Sequence, residues 1–470
     1  MNIPKTLISS NLKKSANRVI NQAFDGLSKI LNKKDIECIA LATGFIKRSS
    51  SKITGFDFLI SLLASSTHGS HATLEKLAEM LMYISHKIKI SAQALMNRIN
   101  TKASVCFLEA VHARLFNAKL DAFQKVPAEL LAHFTKVFLQ DSSSIILDEK
   151  LQEHFKGSGG RSSKASAKFD VIYEWKSKKY EQILLTDQRE ADQKLGLKIE
   201  SVVIENSLTI RDLGYLRVDS LTKIIAKKAF YLSRLRSDIL IFLNKDDEDP
   251  TDIMEYVEKK LWNSCCLDLQ VYITTDKLPV RLIVYRAPEE VANKRKRLAS
   301  ITAKKQGRQL RDKTLKFMDY TMFITNVPVD IWKPEVIGTI YRIRWQIELI
   351  FKCWKSQLEI QYLKGINPER IRCLIYAKLI LILLINQVYR LAEYIGANHL
   401  KRMVSMYKVY EWVRDVDRVI KLVKGTMTKW EKKSFTQAVS TSMCMQQRKR
   451  KTTLQLVCEG EFYYAKRELG

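Results

Sequence analysis

Along the stretch YRIRWQIELIFKCWK, Tyr341 to Lys355, residues able to do chemistry recur at a spacing that a helix would gather onto one side. At about 100° per residue on an ideal helix, Tyr341, Arg344, Glu348 and Lys355 fall within an arc of roughly 60°. Ile343, Ile347, Ile350, Phe351 and Trp354 occupy a different stripe. One face therefore packs while the other presents two cations, a carboxylate and a phenol. An ordinary i, i+4 ion pair accounts for Arg344 and Glu348. It leaves Tyr341 and Lys355 unexplained.

Two more carboxylates close strand-like runs. Asp141 ends TKVFLQD and is followed by three serines, and Asp212 ends SLTIRD and is followed by LGY. A carboxylate at the C-terminal end of a strand projects at the edge of a sheet, where open α/β folds bind ligands. Taken singly, each Asp reads as well as the start of a turn. Asp187, in LLTDQREAD, also follows a strand-like run and competes with Asp212.

The elements that must position these residues form an α/β pattern. Up to about Phe134 the apolar residues recur at helical spacing, with ATLEKLAEMLMYI, SAQALMNRIN and TKASVCFLEAVHARLF as consecutive helices. These could form a helix-turn-helix with Arg98 and Lys102 near DNA, although a plain helical bundle has the same periodicity. From about Thr135 the runs TKVFLQD, FDVIYEW and KKYEQILLTD read as strands, with a basic Gly/Ser-rich loop, FKGSGGRSSKASAK, between the first two. Helical Ala191 to Ile199, strand SLTIRD, helical Ser220 to Lys228 and strand AFYLSRL follow, so a mixed sheet flanked by helices is expected. The expected boundaries are a helical region 1–134, a first sheet segment 135–236, a β-rich insertion with a basic segment 237–330, a second segment of the same domain 331–395 and a helical region 396–470.

Composition bounds the partners. The 470 residues are 46% hydrophobic and 27% charged, which is globular and long enough for two or three domains. Lys and Arg outnumber Asp and Glu by 79 to 50, a formal net charge of +29 that calls for a polyanion, with nucleic acid the first candidate and an anionic membrane surface the rival. Between Lys294 and Lys316 ten basic residues face one acid. Lys294, Arg295, Lys296 and Arg297 open that run, and their field suits a phosphate backbone, although such runs are often only a solvated helix face. A second basic run, QQRKRK, spans Gln446 to Lys451. Eight cysteines without a CxxC pair or zinc spacing, and a first segment without an unbroken apolar core, point to a reducing cytoplasmic compartment. The apolar run Ile371 to Tyr389 approaches spanning length, yet Arg372, Lys378 and Asn386 favour a buried helix, and no membrane partner is expected.

The spacing Y-x2-R-x3-E-x6-K, as Tyr341, Arg344, Glu348 and Lys355, resembles the signature of bacterial transposases of the insertion sequence 4 family. LLTDQREADQ, IRDLGYLRVDSL and AFYLSRL resemble that family's second and third blocks in order, and ISAQALMNRIN its N-terminal region, so the likeness covers roughly Phe56 to Ile395. The resemblance implies an RNase H-like catalytic domain whose DDE triad is Asp141, Asp212 and Glu348, with the β-rich stretch before Glu348 as the family's insertion. The resemblance also favours Asp212 over Asp187, because only Asp212 is followed by the helix and then the AFYLSRL strand that the family places after its second Asp. Three carboxylates of this kind suit two Mg²⁺ ions, with Mn²⁺ as a substitute, in displacement at phosphorus. Arg344 and Lys355 would then neutralise phosphate charge, Tyr341 would donate to a phosphate or simply cover the helix, and Trp262 is a candidate to stack on a flipped base. The implied partners are double-stranded DNA at terminal inverted repeats, target DNA and a second copy of the chain in a homodimer on DNA, in the bacterial cytoplasm at the nucleoid. A catalytically inactive or domesticated DNA-binding protein is the alternative.

Overall fold

The strand-like runs pair into one mixed sheet. A computed structural model describes residues 10–48, 52–67, 73–86, 88–118, 128–159, 163–261, 266–446 and 451–461. Its strands are β1 (Val137–Ile146), β2 (Ser166–Glu174), β3 (Lys179–Asp187), β4 (Leu208–Arg211), β5 (Phe230–Arg234), β6 (Ile241–Phe242), β7 (Cys266–Ile273), β8 (Leu278–Arg286) and β9 (Tyr320–Thr325). They lie in the order β3-β2-β1-β4-β5-β9-β8-β7-β6. The first three form an antiparallel meander, β4 and β5 run parallel to β1, and β9 returns antiparallel to β5.

Alternation sets what each face sees. On β1, Leu139 and Ile145 belong to the larger core, whereas Phe138 belongs to a second core on the opposite face. Ile210 of β4 shares the larger core, and the strand's next residue in that phase is Asp212. Onto this face packs the helix Trp345–Ser356, the helices Pro334–Tyr341 and Pro368–Ile395 share its core, and the N-terminal helices pack against Pro368–Ile395. The other face is covered by the helices Val218–Ala226 and Ile253–Lys260.

Several expectations change on contact with the tertiary structure. Asp141 does not end its strand: β1 continues through Ser142, Ser143 and Ser144 to Ile146, because β2 pairs with it over that whole length. The parallel neighbour β4, by contrast, pairs with β1 only as far as Gln140 opposite Arg211. Asp141 is therefore the first residue of β1 past the end of β4, and the sheet edge arises there from the shorter strand. The 237–330 stretch extends the same sheet through β9, a strand absent from the sequence reading. The signature segment is not one continuous helix either. A 3-10 turn, Arg342–Arg344, separates the helix Pro334–Tyr341 from the helix Trp345–Ser356. Trp262 and residues 447–450 of QQRKRK lie outside the described residues.

The run Ile371 to Tyr389 falls within the helix Pro368–Ile395, which is long and apolar enough to cross a membrane, yet 83% of its most apolar window is buried in the protein. Its Lys378 is buried, and the ammonium donates to the backbone carbonyls of Ser66, at 2.9 Å, and of Leu358. Burial lowers the Lys378 pKa to about 8. Below that pH the group is charged in both the folded and the unfolded state, and the folded protein carries the desolvation cost. Between about 8 and the unfolded value of 10.5 the unfolded chain holds more protons, so this group's share of stability rises with pH. Urea unfolding at pH 7.5, 9 and 10.5 should show that rise, up to ~3 kcal/mol, flattened in Lys378→Met. Equal pH slopes in the two proteins would contradict the assignment.

Candidate active site

Three carboxylates far apart in sequence meet around one guanidinium. Asp141 comes from β1, Asp212 directly follows β4, and Glu348 sits in the first turn of the helix Trp345–Ser356. Arg344 precedes that helix, and its Nη2 donates to Glu348 Oε1 at 2.6 Å. Its Nη1 lies 3.4 Å from Asp141 Oδ2 and its Nε 3.9 Å from Asp212 Oδ1. The i, i+4 pair expected from the sequence is thus one arm of a four-residue cluster. Nε is buried and, among the described residues, makes no hydrogen bond beyond that ion pair.

The 3-10 turn explains how two residues of the signature reach Asp212. Tightening the chain at Arg342–Arg344 turns the Tyr341 hydroxyl towards Asp212, to whose Oδ1 it donates at 3.2 Å. The Tyr341 ring is buried, 4.9 Å from the Phe323 ring centre. Tyr341 therefore anchors Asp212 to the core, whereas the sequence reading had it meeting a phosphate or covering the helix. Burial, with Asp212 alongside, pushes its phenol up from the ordinary value.

The electrostatics are those of crowded acids held by one base. Asp141 is pushed up to about 6, first by burial and further by Asp212 and Glu348, against the lowering effects of the Ser142 backbone N–H and Arg344. That N–H donates to Asp141 Oδ1 at 2.8 Å and fixes the carboxylate's rotation. Among the described residues no three His, Cys, Asp or Glu are grouped as a metal site, and the guanidinium is what the three acids share. Lys355 is half-buried on the same helix and lines, with Glu348, Phe351, Lys352, Ser356 and Gln361, an open cleft of about 420 Å³.

Other expected residues fall elsewhere. In the basic helix Glu289–Lys305, Arg295 donates to the Tyr320 carbonyl and the Thr321 hydroxyl, both at 3.0 Å, and Lys296 pairs with Asp319 at 2.6 Å. These two cations hold the helix against β9, while Lys294 and Arg297 are exposed. Asp187 ends β3, two strands from Asp141, and takes no part in the cluster. Arg98 lies over the Phe45 ring at 5.4 Å, whereas Lys102 is exposed. The sequence reading missed Trp345, which follows Arg344 and is 56% exposed. Its signal was an indole beside the polar arc of the helix, outside the packing stripe.

Comparison with known families bears on what this cluster is. The model of the "Transposase DDE domain" matches residues 132–384, more than half of the chain and a span that contains Asp141, Asp212 and Glu348. The chain belongs to this family. The matched span of this DDE family member starts just before β1 and ends inside the helix Pro368–Ile395, so it takes in the whole sheet and the signature helix. Among curated proteins, the transposase for insertion sequence element IS231E of Bacillus thuringiensis subsp. finitimus is 28% identical over 398 residues, 81% of this chain and 82% of the relative. The transposase for insertion sequence element IS1151 of Clostridium perfringens is also 28% identical, over 78% of this chain and 80% of its own length. The putative transposase InsL for IS186A of Escherichia coli K12 is 34% identical over a shorter span, 110 residues.

Proposed function

We propose that this DDE family member is an insertion-sequence transposase of the insertion sequence 4 family. It cuts DNA at the terminal inverted repeats of its element, frees the element and joins the released 3′-hydroxyls to target DNA. One observation carries the reading: Asp141, Asp212 and Glu348, from three separate elements within the family's span, converge on a single cation. The sheet order supports an RNase H-like catalytic core, since a meander β3-β2-β1 is continued by the parallel strands β4 and β5.

The donor set fits divalent metal. It consists of hard carboxylate oxygens, and Arg344 already shows that all three acids can face one positive charge. Asp141, Asp212 and Glu348 would hold two Mg²⁺ or Mn²⁺ ions. Such ions activate an attacking water or 3′-hydroxyl and stabilise the leaving oxygen.

The chain's own groups do the rest. Arg344 releases carboxylate and turns its planar fork to the scissile phosphate. Lys355 supplies a point charge along the cleft it shares with Glu348. Tyr341 fixes Asp212, and the exposed Trp345 offers a flat apolar face to a base displaced near the cut. Lys294 and Arg297 contact backbone away from the centre. The working form is a homodimer holding two ends, which couples the two cuts.

The test uses purified protein, Mg²⁺ and linear DNA carrying the element's ends, beside DNA with scrambled ends. Nicks at the repeat boundaries and joined products are expected only with authentic ends. Binding without nicking in either Mg²⁺ or Mn²⁺ would favour an inactive DNA-binding protein. Cutting that ignores the repeats and yields no joined product would favour a nuclease.

A further inference from the structure

On the far side of the sheet from Asp141 and Asp212 lies a buried polar network that the cleavage chemistry does not use. Because strand residues alternate between faces, Gln140 and Ser142, the two neighbours of Asp141, both point into it, as does Arg211, the neighbour of Asp212. At its centre is Asp170 of β2, fully buried. Asp170 accepts hydrogen bonds from Tyr215 Oη at 2.8 Å, Gln182 Nε2 at 2.9 Å and Gln140 Nε2 at 3.2 Å. Ser142 Oγ donates to Asp192 at 3.0 Å, and Asp192 pairs with the buried Lys168 at 2.6 Å. Arg211, also buried, donates to the Gly196 carbonyl at 3.0 Å and to Ser220 Oγ at 2.8 Å.

The pattern of attachment is the informative part. Asp170 ties the residue before Asp141 to Tyr215, three residues after Asp212 in the 3-10 turn Leu213–Tyr215. Backbone pairing between β1 and β4 stops at Gln140 opposite Arg211, one residue short of both acids. Beyond that point no ladder bond sets their separation. The Asp170 bridge spans this gap. Burying a carboxylate to make it is costly for stability, and an apolar pair could fill the same volume.

We propose that Asp170 is a positioning residue that sets the distance between Asp141 and Asp212, and hence their grip on the divalent ions. This rests on the reading of those two acids as the metal-holding pair. Asp170→Asn keeps the shape but turns an amide N–H₂ against donors. Tyr215→Phe removes one end of the bridge with little change in volume.

The test measures each protein bound to element-end DNA, by the Mg²⁺ concentration giving half-maximal nicking and by Mn²⁺ binding followed by electron paramagnetic resonance. Asp170→Asn should raise the Mg²⁺ requirement and weaken Mn²⁺ binding by roughly threefold to tenfold, the low end of what losing a partner bonded directly to a ligand costs, because Asp170 acts through Gln140 and Tyr215. Tyr215→Phe should shift both in the same direction by less, with DNA affinity unchanged. Val257→Ala, in the core on that same face but outside the network, controls for stability and should lower only the melting temperature. If both network variants keep the wild-type Mg²⁺ requirement and Mn²⁺ affinity, the proposal is wrong. Should Asp170→Asn fail to fold, Tyr215→Phe decides alone. Wild type that binds Mn²⁺ but never nicks would overturn the proposed function while leaving the positioning test readable.

Discussion

Glu348→Gln is expected to bind element-end DNA as wild type does and to nick it more than ~100-fold more slowly, since even the supporting partners of metal ligands account for 10- to 100-fold. The substitution is mild in shape. Glu348 Oε1 accepts from Arg344 Nη2 at 2.6 Å, and a glutamine oxygen can accept the same bond, so the helix Trp345–Ser356 and its packing face should be undisturbed. What goes is one negative charge and one strong oxygen donor. Single-turnover nicking beside gel-shift affinity separates the two effects. Nicking within a few-fold of wild type would remove Glu348 from the site.

Arg344→Ala is expected to act in opposite directions with and without divalent ions. In ion-free protein, Arg344 is the common partner of Asp141, Asp212 and Glu348, and its side chain is only 16% exposed. Without it, three acids face one another with no cation between them. Bonds to charged groups are worth about 1.5–3 kcal/mol each when well formed. Only the Glu348 contact is short here, and the Asp212 side chain is 45% exposed, so a total loss of about 2 kcal/mol is the reasonable scale.

Added Mg²⁺ should restore stability to the variant more than to wild type, because the wild-type guanidinium competes for the same oxygens while the variant's acids are open to ligand. Nicking should nevertheless collapse, since no fork remains for the phosphate. Thermal unfolding in chelator and then in Mg²⁺ reads the sign. Equal Mg²⁺-dependent shifts in the two proteins would show that Arg344 and the ions do not share the carboxylates. Arg344→Lys should rescue stability only in part, since a single ammonium cannot reach three acids as a planar fork does.

Much of the scaffold is legible in the sequence alone. Runs such as FDVIYEW and PVRLIVYRA are buried along most of their length, and dense apolar β-branched and aromatic residues in short runs have few other uses. β9 escaped notice because YTMFIT is short and closes a stretch dominated by cations. The break before Trp345 was hidden for another reason. Over three residues the 3.0-residue turn of a 3-10 helix and the 3.6-residue turn of an α-helix leave no separate pattern in the sequence, and the break shows only in the folded chain.

Sequence by itself determined the chemical types: two aspartates beside strand segments, a glutamate four residues after an arginine, and a basic chain suited to a polyanion. Those follow from local periodicity and charge, which need no partner to be read. Tertiary structure alone decided that Asp141 stands at an edge, because the edge is made by β4 ending and not by β1 turning. It alone decided that Arg344 answers to three acids, that Arg295 and Lys296 are spent on β9, and that Asp170 bridges the strands behind the site. Each of these is a contact between residues distant in the chain, fixed by how the elements pack, and no pattern along one segment encodes it.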